Sequence, residues 1–126
     1  GYPSPGEYMF RTEPGGILAL LVGSSVLAAT APSPSSFHHV GFTKTASGAN
    51  ESCAIYVDGV QAAAGILAPS ASHSNATQAF LGSWPGHAEY FQGVIDEVGM
   101  WNRPLTPTEF LALYNAGNTG FQYPWF

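Results

Sequence analysis

Residues 90–116, YFQGVIDEVGMWNRPLTPTEFLALYNA, constrain the chain more than any other stretch. Residues 90–101 read as one long strand. Phe91, Gly93 and Ile95 share a face at period two, whereas Val98 and Met100 fall on the opposite parity. For Ile95 and Val98 both to face a core, an extra residue must be absorbed at Asp96–Glu97, a β-bulge that would re-aim this acidic pair. A sheet buried on both faces would need no bulge. Asn102-Arg103-Pro104 then releases the chain into a short helix over residues 106–115. Thr106 and Glu109 form a Thr-x-x-Glu capping box, and Pro107 occupies the first helical position, where its missing N–H is harmless. Phe110, Leu111, Leu113 and Tyr114 supply the apolar stripe, and Gly117 is the expected stop. A helix this short needs a sheet to dock on.

Upstream, the pattern is β throughout. A first strand is expected within residues 7–11. Residues 15–31, GGILALLVGSSVLAATA, have the look of a signal-peptide core. They are too short and too interrupted for a bilayer span, which needs about 20 apolar residues. The Gly23-Ser24-Ser25 break divides them into strands over 17–22 and 26–29. Further strands are expected over 37–45, 52–57, 60–67 and 77–81. Asp58-Gly59 suits the positive backbone angles of a two-residue hairpin turn, so Asp58 reads as a turn former rather than a ligand. Neighbouring His38 and His39 would point to opposite faces of a strand and could not share a metal ion. The segment 120–126 is aromatic and uncharged, and should pack on the domain or on a neighbour.

These pieces, in order, carry a resemblance. Phe91-x-Gly93-x-Ile95-Asp96-Glu97-Val98, then Trp101-Asn102-Arg103-x-Leu105-Thr106, Glu109 and Leu113-Tyr114-Asn115-Ala116-Gly117, resemble the C-terminal signature of laminin G-like domains. Phe37-His38-His39-Val40-Gly41-Phe42-Thr43 and Ile55-Tyr56-Val57-Asp58-Gly59-Val60 agree with it, Phe37 standing where the family has Trp. The resemblance covers roughly the last two-thirds of the chain and implies an all-β, antiparallel two-sheet jelly-roll sandwich of the concanavalin A-like type with one short C-terminal helix. The family's first strands are not matched. A single domain over 1–126, shortened or cut from a longer chain, would leave sheet edges for another chain or a missing segment to cover.

Charged residues make up only 9% of the 126, so the surface must rest on Ser, Thr, Asn and Gly, as on an extracellular or particle-surface protein. Three Lys and Arg against eight Asp and Glu give a net charge of -5, which supplies no footprint for nucleic acid and no attraction to anionic membranes. Cys53, the single cysteine, sits in an apolar strand pattern as a buried thiol; an interchain bridge is the other reading. Glycan-hydrolysing relatives carry paired carboxylates facing one cleft. Asp96 and Glu97, adjacent on a strand, would face apart, and no nucleophile-elbow motif is present, so the chain is read as no enzyme.

The resemblance places a structural Ca²⁺ ligand at Asp96. Six to eight oxygens are required, so one carboxylate is not enough, and Asp96 satisfying backbone donors is the competing role. Trp84 and His87, with Tyr90 nearby, offer rings and polar groups for a sugar face, although Trp84 could instead cap the core. Asn50 and Asn75 open N-glycosylation sequons. The expected function is non-catalytic recognition of a glycan or surface protein; the rival is a virion or cell-surface structural module using the same fold for subunit packing.

Overall fold

The computed structural model describes residues 8–68, 79–84, 86 and 88–118. Two antiparallel meanders face each other. The first contains β1 (Tyr8–Glu13), β2 (Ile17–Val22) and β3 (Ser25–Thr30); the second contains β4 (Val40–Ser47), β5 (Asn50–Val57) and β6 (Val60–Leu67). Alternation along β2 and β5 builds the layer between them. Leu18, Leu20 and Val22 meet Cys53, Ile55 and Leu67, with Phe10, Leu27 and Phe42 packed around them. Leu20 and Ile55 are completely buried, each stabilising the fold by about 1.5–3 kcal/mol relative to exposure. The thiol of Cys53 lies in this layer, and burial raises its pKa, as the buried reading expects.

At the rim of the layer, Lys44 and Glu51 form a 2.9 Å ion pair with the Glu51 side chain almost wholly buried. Burying such a carboxylate is tolerable only with its cation in place.

The odd-numbered face of β2 is also covered, Ala19 and Leu21 being fully buried. Arg11, opposite Ala19 in the register, reaches Glu89 at 3.5 Å. That contact sets the small hairpin of β7 (Ser83–Trp84) and β8 (Glu89–Tyr90) against the outer side of the first sheet.

On the outer side of the second sheet lies α1 (Pro107–Asn118). The capping box forms as the residues dictate: the Glu109 amide donates to Thr106 Oγ1 at 3.2 Å, and the Thr106 amide donates to Glu109 Oε2 at 2.8 Å. Docking is set by Phe110. Its ring stacks on Tyr56 with centroids 3.9 Å apart and planes 6° from parallel. It also occupies the space a side chain at Gly41 would need, 2.6 Å from an added Cβ. Gly41 and Tyr56 are register partners, so one pair of strand positions makes the whole seat. Ala54, Leu105 and Leu113 complete this second, smaller core. Gly117 does not stop the helix, which continues to Asn118.

Several expected boundaries move. The expected strand over 90–101 does not form: only Glu89–Tyr90 is paired, and residues 91–101 join no sheet. Glu97 adopts a left-handed φ of 51°, and Asp96 Oδ1 accepts its amide at 2.8 Å. An irregularity therefore lies at the predicted residues, but the chain changes direction there instead of bulging within a ladder. The expected strand over 37–45 begins only at Val40; before it the Asp58 amide donates to the His39 carbonyl at 2.8 Å, and the Asp58 carboxylate engages the His38 ring and the His39 amide. Residues 79–81 are not a strand, and the expectations for 120–126, His87 and Asn75 lie outside the described residues.

Truncation of the docking ring tests this architecture. Phe110→Ala is expected to cost about 3–5 kcal/mol, read as a lowered denaturant midpoint with little change in strand signal by circular dichroism.

Candidate functional site

Two clusters invite a chemical reading, one at the start of β4 and one along residues 84–101. In the first, Asp58 and Gly59 both have positive φ, 50° and 79°, and turn β5 into β6 as their residue types predict. Gly59 is required twice over, since an added Cβ would also lie 2.9 Å from the Leu111 Cα of the docked helix. The Asp58 carboxylate does more than turn the chain. Oδ2 lies 2.7 Å from His38 Nδ1, and Oδ1 accepts the His39 amide at 3.0 Å. The far side of the His38 ring, Nε2, lies 3.1 Å from Ser36 Oγ.

Serine, histidine and aspartate thus stand in the order of a hydrolase triad, which no sequence motif announced. A triad also needs oxyanion donors and a site that excludes water. Ser36 stands exposed on a loop. The arrangement reads as a clasp tying the 36–39 loop to the β5–β6 turn.

His38 and His39 lie outside the strand, and both rings are half-buried. His39 packs edge-on to Phe110, centroids 6.3 Å apart, and its buried Nδ1 has no hydrogen-bond partner among the described residues. Burial lowers its pKa, the nearby Asp58 and Glu97 charges opposing the shift without cancelling it.

The second cluster divides the predicted ligand residues. Pairing places Trp84 opposite Glu89 and Ser83 opposite Tyr90. Residues directly opposite share a face, so Trp84 and Tyr90 point to opposite sides of the hairpin. Trp84 shares the side of Glu89, which reaches Arg11, and is half-buried, whereas Tyr90 is 73% exposed. Beyond Tyr90, large apolar side chains stand in water, including Val94 at 70% and Met100 at 79% exposure. Sequence reasoning assigned Val94–Met100 to a sheet; the observed run instead displays them.

Asp96 Oδ1 accepts the amide of its neighbour Glu97 at 2.8 Å. Among the described residues no three His, Cys, Asp or Glu side chains gather as a metal-binding group, and a Ca²⁺ held at Asp96 would take its remaining oxygens from main-chain carbonyls, amides and water. Asn50 is exposed at the start of β5.

The comparisons agree with this geometry. A laminin G family profile, described as the concanavalin A-like lectin/glucanases superfamily, matches residues 2–110. The chain belongs to this laminin G-like family. Among curated proteins none is significantly similar. A crystal structure of an S-layer domain-containing protein (residues 221–444) from Clostridium thermocellum superposes with a TM-score of 0.50 at 16% identity. That match covers 86% of this laminin G-like chain and 62% of the other, and at such identity it shows the fold alone. The all-β concanavalin A-like sandwich with one short helix is thereby established for the protein.

Two measurements follow. Because folded His39 resists protonation, the unfolded chain binds more protons below its ordinary pKa of about 6.5, and stability falls as pH drops through that value. The melting temperature is expected to fall from about pH 7.5 to about pH 5.5, and less steeply in His39→Phe, which keeps a ring against Phe110. With Asp96 acting as a backbone cap, EDTA leaves the melting temperature unchanged; a fall reversed by added Ca²⁺ would place its carboxylate in a metal's coordination shell.

Proposed function

We propose that the protein is a non-catalytic recognition module, acting outside the cell or on a particle surface, whose ligand is a glycan or a protein bound along Tyr90–Trp101. The observation that carries this reading is the exposure of that run. Tyr90, Val94, Met100 and Trp101 are each at least half exposed on backbone that belongs to no sheet beyond Tyr90. Contiguous exposed apolar surface of this kind marks interaction sites. Family membership supports lectin-like or protein-binding chemistry, and the low charge is compatible with a surface environment. Of the predicted aromatic residues, Tyr90 is the one presented for stacking on a sugar face, while Trp84 supports the hairpin from behind. Asn50, if the chain passes through a eukaryotic secretory route, is an accessible glycan acceptor.

A second reading has its own support. The same exposed run could pack subunits together, and the similar crystal structure is that of an S-layer domain-containing protein. A partner chain or further segment covering a sheet edge belongs to this structural reading. Among the described residues no helix is long and apolar enough to cross a membrane.

Glycan-array retention of the full chain tests the first reading. Tyr90→Ala should weaken retention roughly ten-fold, about the value of one aromatic stacking contact, without moving the melting temperature. Retention unaffected by Tyr90→Ala and by Trp84→Ala would remove glycan stacking. Concentration-dependent self-association abolished by Met100→Asp would instead favour the structural role.

A further inference from the structure

The outer strands of the two meanders, β1, β3, β4 and β6, are not alike. β1 carries Arg11 and Glu13, and β4 carries Lys44, charges of the kind that keep an edge from pairing with another chain. β6 is interrupted by a bulge: Ile55 lies opposite Ala63 and Tyr56 opposite Gln61, which leaves Ala62 unpaired. β3, Ser-Val-Leu-Ala-Ala-Thr, has no charge, no proline and an unbroken register.

That register shows which backbone groups of β3 point outward. The Ala31 amide donates to the Gly16 carbonyl at 2.8 Å, so the residues bonded to β2 recur at Ala29, Leu27 and Ser25. Val26, Ala28 and Thr30, between them, turn their N–H and C=O groups away from β2. Among the described residues these groups have no backbone partner. The same three residues are exposed, while Leu27 and Ala29 pack on the core. A cleft of about 510 Å³ adjoins Ala28–Thr30, bordered by Gly15, Gly16 and Ala62, so no bulky side chain stands before the edge there.

We propose that this edge pairs antiparallel with β3 of a second copy of the chain, joining two meanders into one continuous sheet. A two-fold axis at Ala28 sets Ala28 opposite its own copy and Val26 opposite the second copy's Thr30. Each facing pair then closes two hydrogen bonds through the outward groups. Valine and threonine, both β-branched, make a favoured cross-strand pair, and alanine at the centre lets the backbones approach. A second copy fits because the edge is self-complementary in charge. With a net charge of -5, identical chains must meet where neither brings carboxylates, and neither β3 nor the adjoining β6 has any. This edge uses no residue of Tyr90–Trp101.

Sedimentation velocity of the full chain should show a monomer–dimer equilibrium. Ala28→Lys, which sets two ammonium groups face to face, should raise the dissociation constant by about ten-fold or more. Ala28→Pro should do the same, since the N–H it removes serves no bond within the chain. If Ala28→Pro fails to fold, Ala28→Lys with a native circular dichroism spectrum decides. Copies of Ala28→Cys should be joined by a short bis-maleimide, whereas those of Val26→Cys, about 14 Å apart in this register, should not. A dimer unmoved by Ala28→Lys, a dimer lost only in Met100→Asp, or links at position 26 without links at 28 would each overturn the pairing. A chain that stays monomeric would overturn it too, leaving the edge to a foreign strand or to another segment of its own.

Discussion

The docking of the helix depends on β5 being covered on both faces. Cys53 and Ile55 point into the layer shared with β2, while Ala54 and Tyr56 point outward to the helix. A strand in that position cannot alternate apolar with polar residues, and Ser-Cys-Ala-Ile-Tyr-Val does not. The outer face is narrow, so one aromatic contact fixes the helix: Phe110 on Tyr56, over a glycine whose lack of side chain makes room for the ring. Once that ring is seated, the path of residues 101–109 follows. Arg103 meets Glu109, Glu109 completes the cap on Thr106, and Leu105 closes the base of the small core. Arg103 and the Thr106 amide together hold the Glu109 carboxyl at about pKa 2, so this entry to the helix keeps its charge well into acid.

What the sequence revealed, and what it hid, follows from how local each signal is. The β5–β6 hairpin was legible to the residue over 60–67 because Asp58-Gly59 alone dictates the turn. The capping box was legible because its two hydrogen bonds span three residues. Residues 91–101 were misread because a strand needs a neighbour, and periodicity reports side-chain character rather than the availability of an edge. Their apolar residues are real, and so is the irregularity at Asp96–Glu97. The unforeseen part is that a left-handed Glu97 takes the chain out of line. The Asp58 clasp was hidden for the opposite reason: it joins residues 19 and 20 positions apart through a side chain already explained by the turn. Only the offset of His38 and His39 from the first ladder pair, Val40 with Val57, could have hinted that a carboxylate reaches there.

The candidate ligand residues show the same division. Tyr90 and Trp84 are six positions apart, and sequence proximity suggested one aromatic surface. Whether two residues of a hairpin share a face depends on register, which the turn between them sets. With Trp84 opposite Glu89, the two rings separate, one toward Arg11 and the first sheet and one toward solvent.

That separation bears on mechanism as well as on binding. A glycan-cleaving site of this superfamily would need two carboxylates converging on one bond from opposed walls. Here Asp58 is engaged by the histidine loop, Glu109 by Arg103, Asp96 by the amide of Glu97, and the buried Glu51 by Lys44. Each is used to hold backbone or to balance a buried charge. If the displayed run is the binding surface proposed above, it is mainly apolar and aromatic, and the free energy of an encounter there comes from desolvation and shape rather than from charge. Such a surface binds what presents an apolar face with few charges, which is equally a description of a pyranose ring and of another copy of the same run. Register and helix docking fix the scaffold on which that run is displayed.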